Sequence, residues 1–398
     1  NMIAENGALL AERRFATGLT VSEIDVDRLV YDRRRTNTFT FGKEPPEIWR
    51  CGFTLPVEET RLTRYVSPSP FVPEDAAGRA ERCEEILRIA SLGLKKRLEH
   101  TGAKTAVVGL PGGLDSTLAL LITALAMGML NRPASDIVAV TMPCFGTTAR
   151  TKSNAELLAE RMGATLEIID ISQAVRRHFT DIGQSMENHD VTFENGQARE
   201  RTQILMDLAN RLNGMVVGTG DMSELALGWA TYNGDHMSMY GVYSSVPKTL
   251  VRHLVRYFAD TCGEKELSEV LLDVLDTPVS PELLPPEKDG KIAQKTEDLV
   301  GPYELHDFYL YYILRYGYHP GKIYRLAVMA FEGVYDHAVI LKWLKVFYRR
   351  FFSPQFKRSC LPDGPKVGSA AVSPRGDLRM PGDACSRLWL EELEQIGL

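Results

Sequence analysis

Residues 105–119, Thr-Ala-Val-Val-Gly-Leu-Pro-Gly-Gly-Leu-Asp-Ser-Thr-Leu-Ala, restrict this chain more than any other stretch. A short apolar run from Ala106 to Leu110 breaks at Gly112-Gly113, and Asp115-Ser116 then opens a long apolar helix. A strand, a glycine turn and a helix start gather main-chain N–H groups and the positive end of a helix dipole around an anion. Neither glycine has a Cβ, so the main chain can approach a phosphate closely. Asp115 sets a carboxylate where negative charge is otherwise attracted. That arrangement makes chemical sense with a divalent cation between it and the phosphates. The stretch predicts a pyrophosphate–Mg²⁺ site over Gly109–Ser116; a tight turn without a ligand is the alternative reading of these residues alone. No Lys-Ser/Thr pair closes a Walker A loop here, and there is no G-x-G-x-x-G fingerprint.

Around this turn, strand and helix patterns alternate. Strands are expected over 105–110, 137–142, 165–171 and 215–219, and helices over about 116–130, 148–162 and 197–212, with Gly163 and Gly214 as helix stops. A helix precedes them, its buried stripe marked by Cys83, Leu87, Ala90, Leu94 and Leu98. The expected fold is α/β, a doubly wound parallel sheet with helices on both faces. Ligands of such sheets sit beyond the carboxyl ends of the strands.

Composition narrows the possible partners. The 398 residues allow two or three domains, and 44% hydrophobic residues can bury a sizeable core. A formal net charge of −6 gives no support for bulk nucleic-acid or anionic-membrane binding. No apolar run is long enough to span a membrane and no signal peptide opens the chain. The six cysteines are scattered without metal spacing, so reduced thiols in a cytoplasmic protein are expected.

Three further runs fall near strand ends. Met142-Pro143-Cys144-Phe145-Gly146-Thr147-Thr148 fits a ligand-flanking loop or an ordinary turn with Thr147 or Thr148 as N-cap. Asn195-Gly196-Gln197-Ala198-Arg199-Glu200-Arg201 sets two arginines on different sides of one helix. One can face a phosphate while the other braces the fold, or both can be solvated. Gly218-Thr219-Gly220-Asp221-Met222-Ser223-Glu224 ends the fourth strand. Its Glu224 supplies the second carboxylate that a cation beside Asp115 would need. Trp229 and Tyr232 follow, offering flat faces for a base or pyridine ring, or simply core.

Together the loop at 109–116, the run Gly218–Trp229 and Val246-Pro247-Lys248-Thr249 resemble the NAD⁺ synthetases. The runs at 301–308, Gln355-Phe356-Lys357-Arg358-Ser359 and Ser373-Pro374-Arg375-Gly376-Asp377 resemble the glutamine-dependent form. The resemblance implies an adenine-nucleotide α-hydrolase-like (ATP pyrophosphatase) fold and a ligase that amidates deamido-NAD⁺ to NAD⁺ at the expense of ATP. It implies that Gly109, Leu110, Gly112, Gly113, Asp115, Ser116, Thr219 and Lys248 contact ATP, with Asp115, Ser116 and Lys248 catalytic. Mg²⁺ would sit on Asp115 and Glu224. Asn195, Arg199, Glu224, Trp229, Ala230, Thr231, Tyr232 and Lys357 would contact deamido-NAD⁺. One position departs from the S-G-G-x-D-S loop of this fold: Pro111 stands where serine is usual, and proline offers neither a hydroxyl nor an N–H. The resemblance also implies a homodimer, a lid over residues 276–300, and ammonia delivered from glutamine in a longer chain.

Residues 1–45 read differently. A hairpin turned at Asn6-Gly7, one more strand over 21–26 and a basic helix over 28–35 cannot enclose a core. They resemble the C-terminal end of a nitrilase-like glutaminase domain; the alternative is an arm packing on the main domain or on a partner subunit. The domain expectation is therefore a remnant at 1–45, a proline-rich linker at 46–75 and a synthetase domain at 76–398. No glutamine hydrolysis is expected from these residues, and free ammonium would be the nitrogen source.

Overall fold

The computed structural model describes residues 1–38, 51–54, 56, 62–146, 149–277, 283–284 and 296–397. Much of the expected linker, Thr147-Thr148 and most of the expected lid at 276–300 lie outside the described residues.

The body is built on a five-stranded parallel sheet in the order β5-β4-β3-β6-β7. Its strands are β3 (Thr105–Gly109), β4 (Ile137–Thr141), β5 (Thr165–Ile168), β6 (Gly214–Gly218) and β7 (Tyr240–Gly241). Register pairs Val107 with Val138 on one side and with Val216 on the other. Side chains alternate across the sheet. On one face Ala106, Val108, Ala139 and Val217 pack under α2 (Ala76–Thr101), α3 (Leu114–Met129), α4 (Ala149–Arg161), α8 (Lys248–Thr261) and α9 (Lys265–Leu275). On the other, Val107, Val138, Val140 and Val216 pack under α5 (Ser172–Ile182) and α6 (Val191–Arg211). The expected stripe of α2, from Cys83 to Leu98, is buried throughout. From β3 the chain runs outward to β4 and β5, then returns to the far side of β3 as β6. The strand order therefore reverses between β3 and β6, which is where a ligand crevice opens in such sheets.

A second apolar core gathers α7 (Met222–Leu227), α11 (Tyr303–Tyr316), α12 (Pro320–Ala330), α13 (His337–Phe352) and α15 (Arg387–Glu394), filled by Phe308, Tyr309, Leu344 and Phe347. The short helices α10 (Thr296–Val300) and α14 (Gln355–Ser359) lie at its margins in sequence. Helix α7 belongs to this core yet starts at the end of β6, so it couples the sheet to the helical layer. No helix among the described residues is long and apolar enough to cross a membrane.

The N-terminal hairpin pairs β1 (Met2–Glu5) with β2 (Ala8–Glu12), and Asn6 and Gly7 hold the positive φ values of 47° and 83° that such a turn requires. No strand forms over 21–26. Asp25 instead caps α1 (Val26–Arg35), its Oδ1 accepting from the Arg28 N–H at 3.1 Å, so the helix begins two residues before the expected start. Gly214 is not a helix stop either. Asn213 takes the left-handed turn at φ 48°, and Gly214 opens β6, where a Cβ would meet Thr105 Oγ1 at 2.2 Å. Gly163 holds its expected left-handed position after α4.

Candidate active site

The loop after β3 is shaped by one glycine and opened by the other. Gly112 has φ 99°, and a Cβ there would lie 2.1 Å from the Thr151 carbonyl, so no other residue fits. Gly113 faces open space and begins α3 with no side-chain cap, leaving the first-turn amides free to meet an anion. Leu110 behaves otherwise. Its side chain is core and its N–H donates to the Val140 carbonyl at 2.8 Å, so neither can serve a phosphate. Ser116 lines the cavity, with its hydroxyl donating to the Gly113 carbonyl at 3.1 Å.

Lys248 begins α8 and is 2% exposed. Its Nζ lies 2.6 Å from Asp115, 2.6 Å from Asp221 and 2.8 Å from Glu224. One ammonium among three carboxylates leaves a surplus of two negative charges when all are ionised. Burial, reinforced by the neighbouring acids and only partly offset by Lys248, raises Asp115 to about 6 and Glu224 well above the usual carboxylate range. Burial alone would lower the Lys248 pKa, but the attraction of the three carboxylates overrides it and lifts it well above normal. The three acids can bring ligand oxygens within 4.8 Å of one another, and Asp115 Oδ1 is buried without a partner. An oxygen-only, anion-rich donor set with an unused buried oxygen fits Mg²⁺.

A cavity of about 470 Å³ opens beside this cluster. Gly109, Pro111, Gly113, Asp115, Ser116, Thr219, Glu224, Asn195, Trp229, Ala230, Thr231 and Lys357 all line it. Asp115 and Glu224 thus face one space. Asn195 accepts from the Thr231 hydroxyl at 2.7 Å, and Lys357 donates to the Gly228 and Ala230 carbonyls at 2.9 and 2.5 Å, so both fix the turn that presents Trp229. Five expected contacts, Leu110, Gly112, Lys248, Arg199 and Tyr232, are not among the lining residues. Arg199 donates to the Tyr232 carbonyl at 3.2 Å, while Arg201 is the arginine that faces the cavity. The Tyr232 ring packs on His236 and Phe356.

Sequence reasoning missed several residues. Asp221 sat inside a quoted motif, but its residue type reads as a helix cap, and it does cap α7 while also pairing with Lys248. Asp235 and Arg350 also line the cavity, Arg350 lying 5.1 Å from the centre of the Trp229 ring. Tyr243 is fully buried, with its hydroxyl between the Asp115 and Thr219 carbonyls at 2.8 and 2.6 Å, tying the two loops together. Nothing local in the sequence marks Tyr243 or Arg350, because each reaches the site through tertiary packing.

The parallel sheet, the glycine-loop helix start at its switch point and the acidic cluster beside it match an ATP-pyrophosphatase-type fold. Residues 86–328 match the NAD synthase family model, and the chain belongs to that family. It is 43% identical to the glutamine-dependent NAD(+) synthetase of Mycobacterium leprae, over 99% of this chain and 63% of that protein. With the enzyme of the same name from Acinetobacter baylyi it shares 31% identity over 75% of this chain and 51% of that one. A crystal structure of a glutamine-dependent NAD(+) synthetase from Cytophaga hutchinsonii shares the fold, with a TM-score of 0.66 and 20% identity over 79% of this chain and 56% of that one. An NMN synthetase from Francisella tularensis superposes with a TM-score of 0.50 at 22% identity, covering 68% of this chain and 92% of that one. The chain therefore spans less than two thirds of the length of its mycobacterial relatives.

Proposed function

We propose that this chain binds Mg·ATP and amidates deamido-NAD⁺ to NAD⁺. The observation that carries the reading is that Asp115 and Glu224, both held on the buried Lys248, face one cavity beside an uncapped helix start. The nicotinate carboxylate of deamido-NAD⁺ attacks the α-phosphorus of ATP, forming an acyl-adenylate as pyrophosphate leaves. Ammonia then attacks the activated carbonyl, loses a proton, and displaces AMP. The amides of the α3 first turn and Lys248 offset phosphate charge. Asp115, Asp221 and Glu224 would hold Mg²⁺, which when bound supplies charge neutralisation on the phosphates. The Gly228–Thr231 turn, braced by Asn195 and Lys357, positions the dinucleotide beside Trp229.

Several further readings rest on the resemblance alone. Residues 1–45 are the end of a glutaminase domain, 76–398 the synthetase domain, and free ammonium replaces glutamine when only these residues are present. The synthetase domain pairs as a homodimer in the cytoplasm.

The test is pyrophosphate release with ATP, Mg²⁺ and NH₄⁺, comparing deamido-NAD⁺ with the corresponding mononucleotide and with other carboxylate acceptors. Turnover confined to deamido-NAD⁺ is expected. ATP binding without turnover on any acceptor would favour a nucleotide-binding module silenced at Pro111, which lines the cavity where a serine hydroxyl could reach phosphate. Pro111→Ser resolves this. A hydrogen bond to a charged group contributes about 1.5–3 kcal/mol, so the substitution is expected to raise the rate about tenfold or more.

A further inference from the structure

The run at 301–308 marks the family resemblance, yet the mechanism above uses none of it. Asp307, on α11, is 2% exposed and belongs to the helical layer rather than to the sheet. Its carboxylate reaches the base of the site from behind. One oxygen accepts from the Thr249 N–H at 2.9 Å and the Thr249 hydroxyl at 2.6 Å. The other accepts from the Ser223 hydroxyl in a short hydrogen bond. Ser223 Oγ in turn accepts from the Lys248 N–H at 2.8 Å.

These bonds replace something the local sequence lacks. Helix α8 follows Pro247, which has no side chain able to cap it, so the Lys248 and Thr249 amides would be buried without acceptors. Asp307 and Ser223 supply them from other helices. Ser223 is also the residue before Glu224, on a helix only six residues long. A single carboxylate on α11 therefore sets where α7 and α8 begin relative to each other, and with that the separation of Glu224 from Lys248.

We propose that Asp307 is a positioning residue for the ATP half of the site. It acts through Ser223 and Thr249 to hold Glu224 and Lys248 in register with the glycine loop. The dinucleotide half has a separate brace, Asn195 and Lys357 on the Gly228–Thr231 turn. This proposal rests on the functional reading above. It predicts a split between the two substrates that a general loss of stability would not produce.

The test compares Asp307→Asn with Tyr309→Phe, a change on the same helix that removes a buried hydroxyl bond to the Ile340 carbonyl of α13. Calorimetry would measure Mg·ATP and deamido-NAD⁺ separately, beside thermal melts. Asp307→Asn is expected to weaken Mg·ATP binding tenfold or more and to lower kcat, with deamido-NAD⁺ affinity within twofold of the parent. Tyr309→Phe should lower the melting temperature and leave Mg·ATP affinity unchanged. Asp307→Asn and Ser223→Ala together should cost less than the sum of the two alone, because they share one bond. If Asp307→Asn does not fold, Thr249→Val takes its place, with a severalfold loss confined to Mg·ATP expected. Equal losses for both substrates, or unchanged Mg·ATP affinity in the variant that folds, would overturn the proposal and leave the functional reading standing. No Mg·ATP binding by the parent chain would overturn both.

Discussion

Two buried carboxylate clusters, one in the N-terminal segment and one under the glycine loop, use the same residue types and reach opposite charge balances. Glu5 is 2% exposed and faces Arg64 at 3.0 Å and Arg28 at 3.6 Å. Asp25 pairs with Lys322 at 2.5 Å and accepts from the Tyr318 hydroxyl. Burial is the largest single influence and pushes both carboxyls upward, but Arg64, the Asp25 N–H and Arg28 around Glu5, and Lys322, Tyr318 and the Arg28 N–H around Asp25, together outweigh it and leave both pKa values below the usual carboxylate range. Under the glycine loop three acids share one lysine, and their pKa values rise. The first cluster is complete as it stands and works as a latch, because α1 has no buried residue to hold it by apolar packing. The second carries more negative charge than its own cation can balance, which is what the proposed Mg²⁺ would offset.

Removing each lysine should separate the two most sharply. Lys248→Met removes a buried cation from three acids and is expected to cost about 3–5 kcal/mol of stability, along with pyrophosphate release. Lys322→Met opens a partly exposed pair and should cost no more than about 1 kcal/mol, with activity kept. Urea unfolding of both variants checks this, and equal losses would erase the distinction.

Neutralising an acid should act with opposite signs. Glu5→Gln removes half of a balanced pair and is expected to destabilise by about 1–2 kcal/mol, the range for hydrogen bonds to charged groups. Glu224→Gln relieves surplus charge and should raise the melting temperature of the metal-free protein. A fall in both variants would contradict the charge-balance reading.

The pH response is the smallest of the expected effects. The folded-state pKa of Asp115, about 6, lies above its ordinary 3.8, so the folded protein binds the extra proton in that window. The Asp115 contribution to metal-free stability should therefore fall as pH rises from about 4 to 6. Glu5 and Asp25 act the other way. Their contribution is full above their ordinary values near 4, and is lost only as pH falls through their lower folded values. Melts at pH 4, 5 and 6, with and without Glu224→Gln, read the first effect. A rise in stability across that window in the parent protein alone would contradict it.

How much of this was legible in the sequence depends on whether the signal was local. The glycine turn, four of the parallel strands and the α2 stripe follow from periodicity and from residues that permit or forbid a backbone conformation. The two-residue strand β7 is too short to show a period, and α5 passed unread between two stronger patterns. Residues 21–26 read as one more strand, yet Asp25 caps a helix and binds Lys322. At the site, Asp115, Glu224 and Lys248 could be named from their motifs. Asp221 hid behind its capping role, and Asp307 behind a contact some eighty residues away in sequence. Arg199 and Arg201 could not be told apart until the helix was docked on the sheet.

Calorimetric titration of ATP into the parent protein and into Glu224→Gln, each with Mg²⁺ and with EDTA, tests the central claim most directly. Binding that requires Mg²⁺ in the parent and is at least tenfold weaker in Glu224→Gln is the predicted result. ATP affinity indifferent to Mg²⁺ and to Glu224 would show that the acidic cluster is not a metal–triphosphate site.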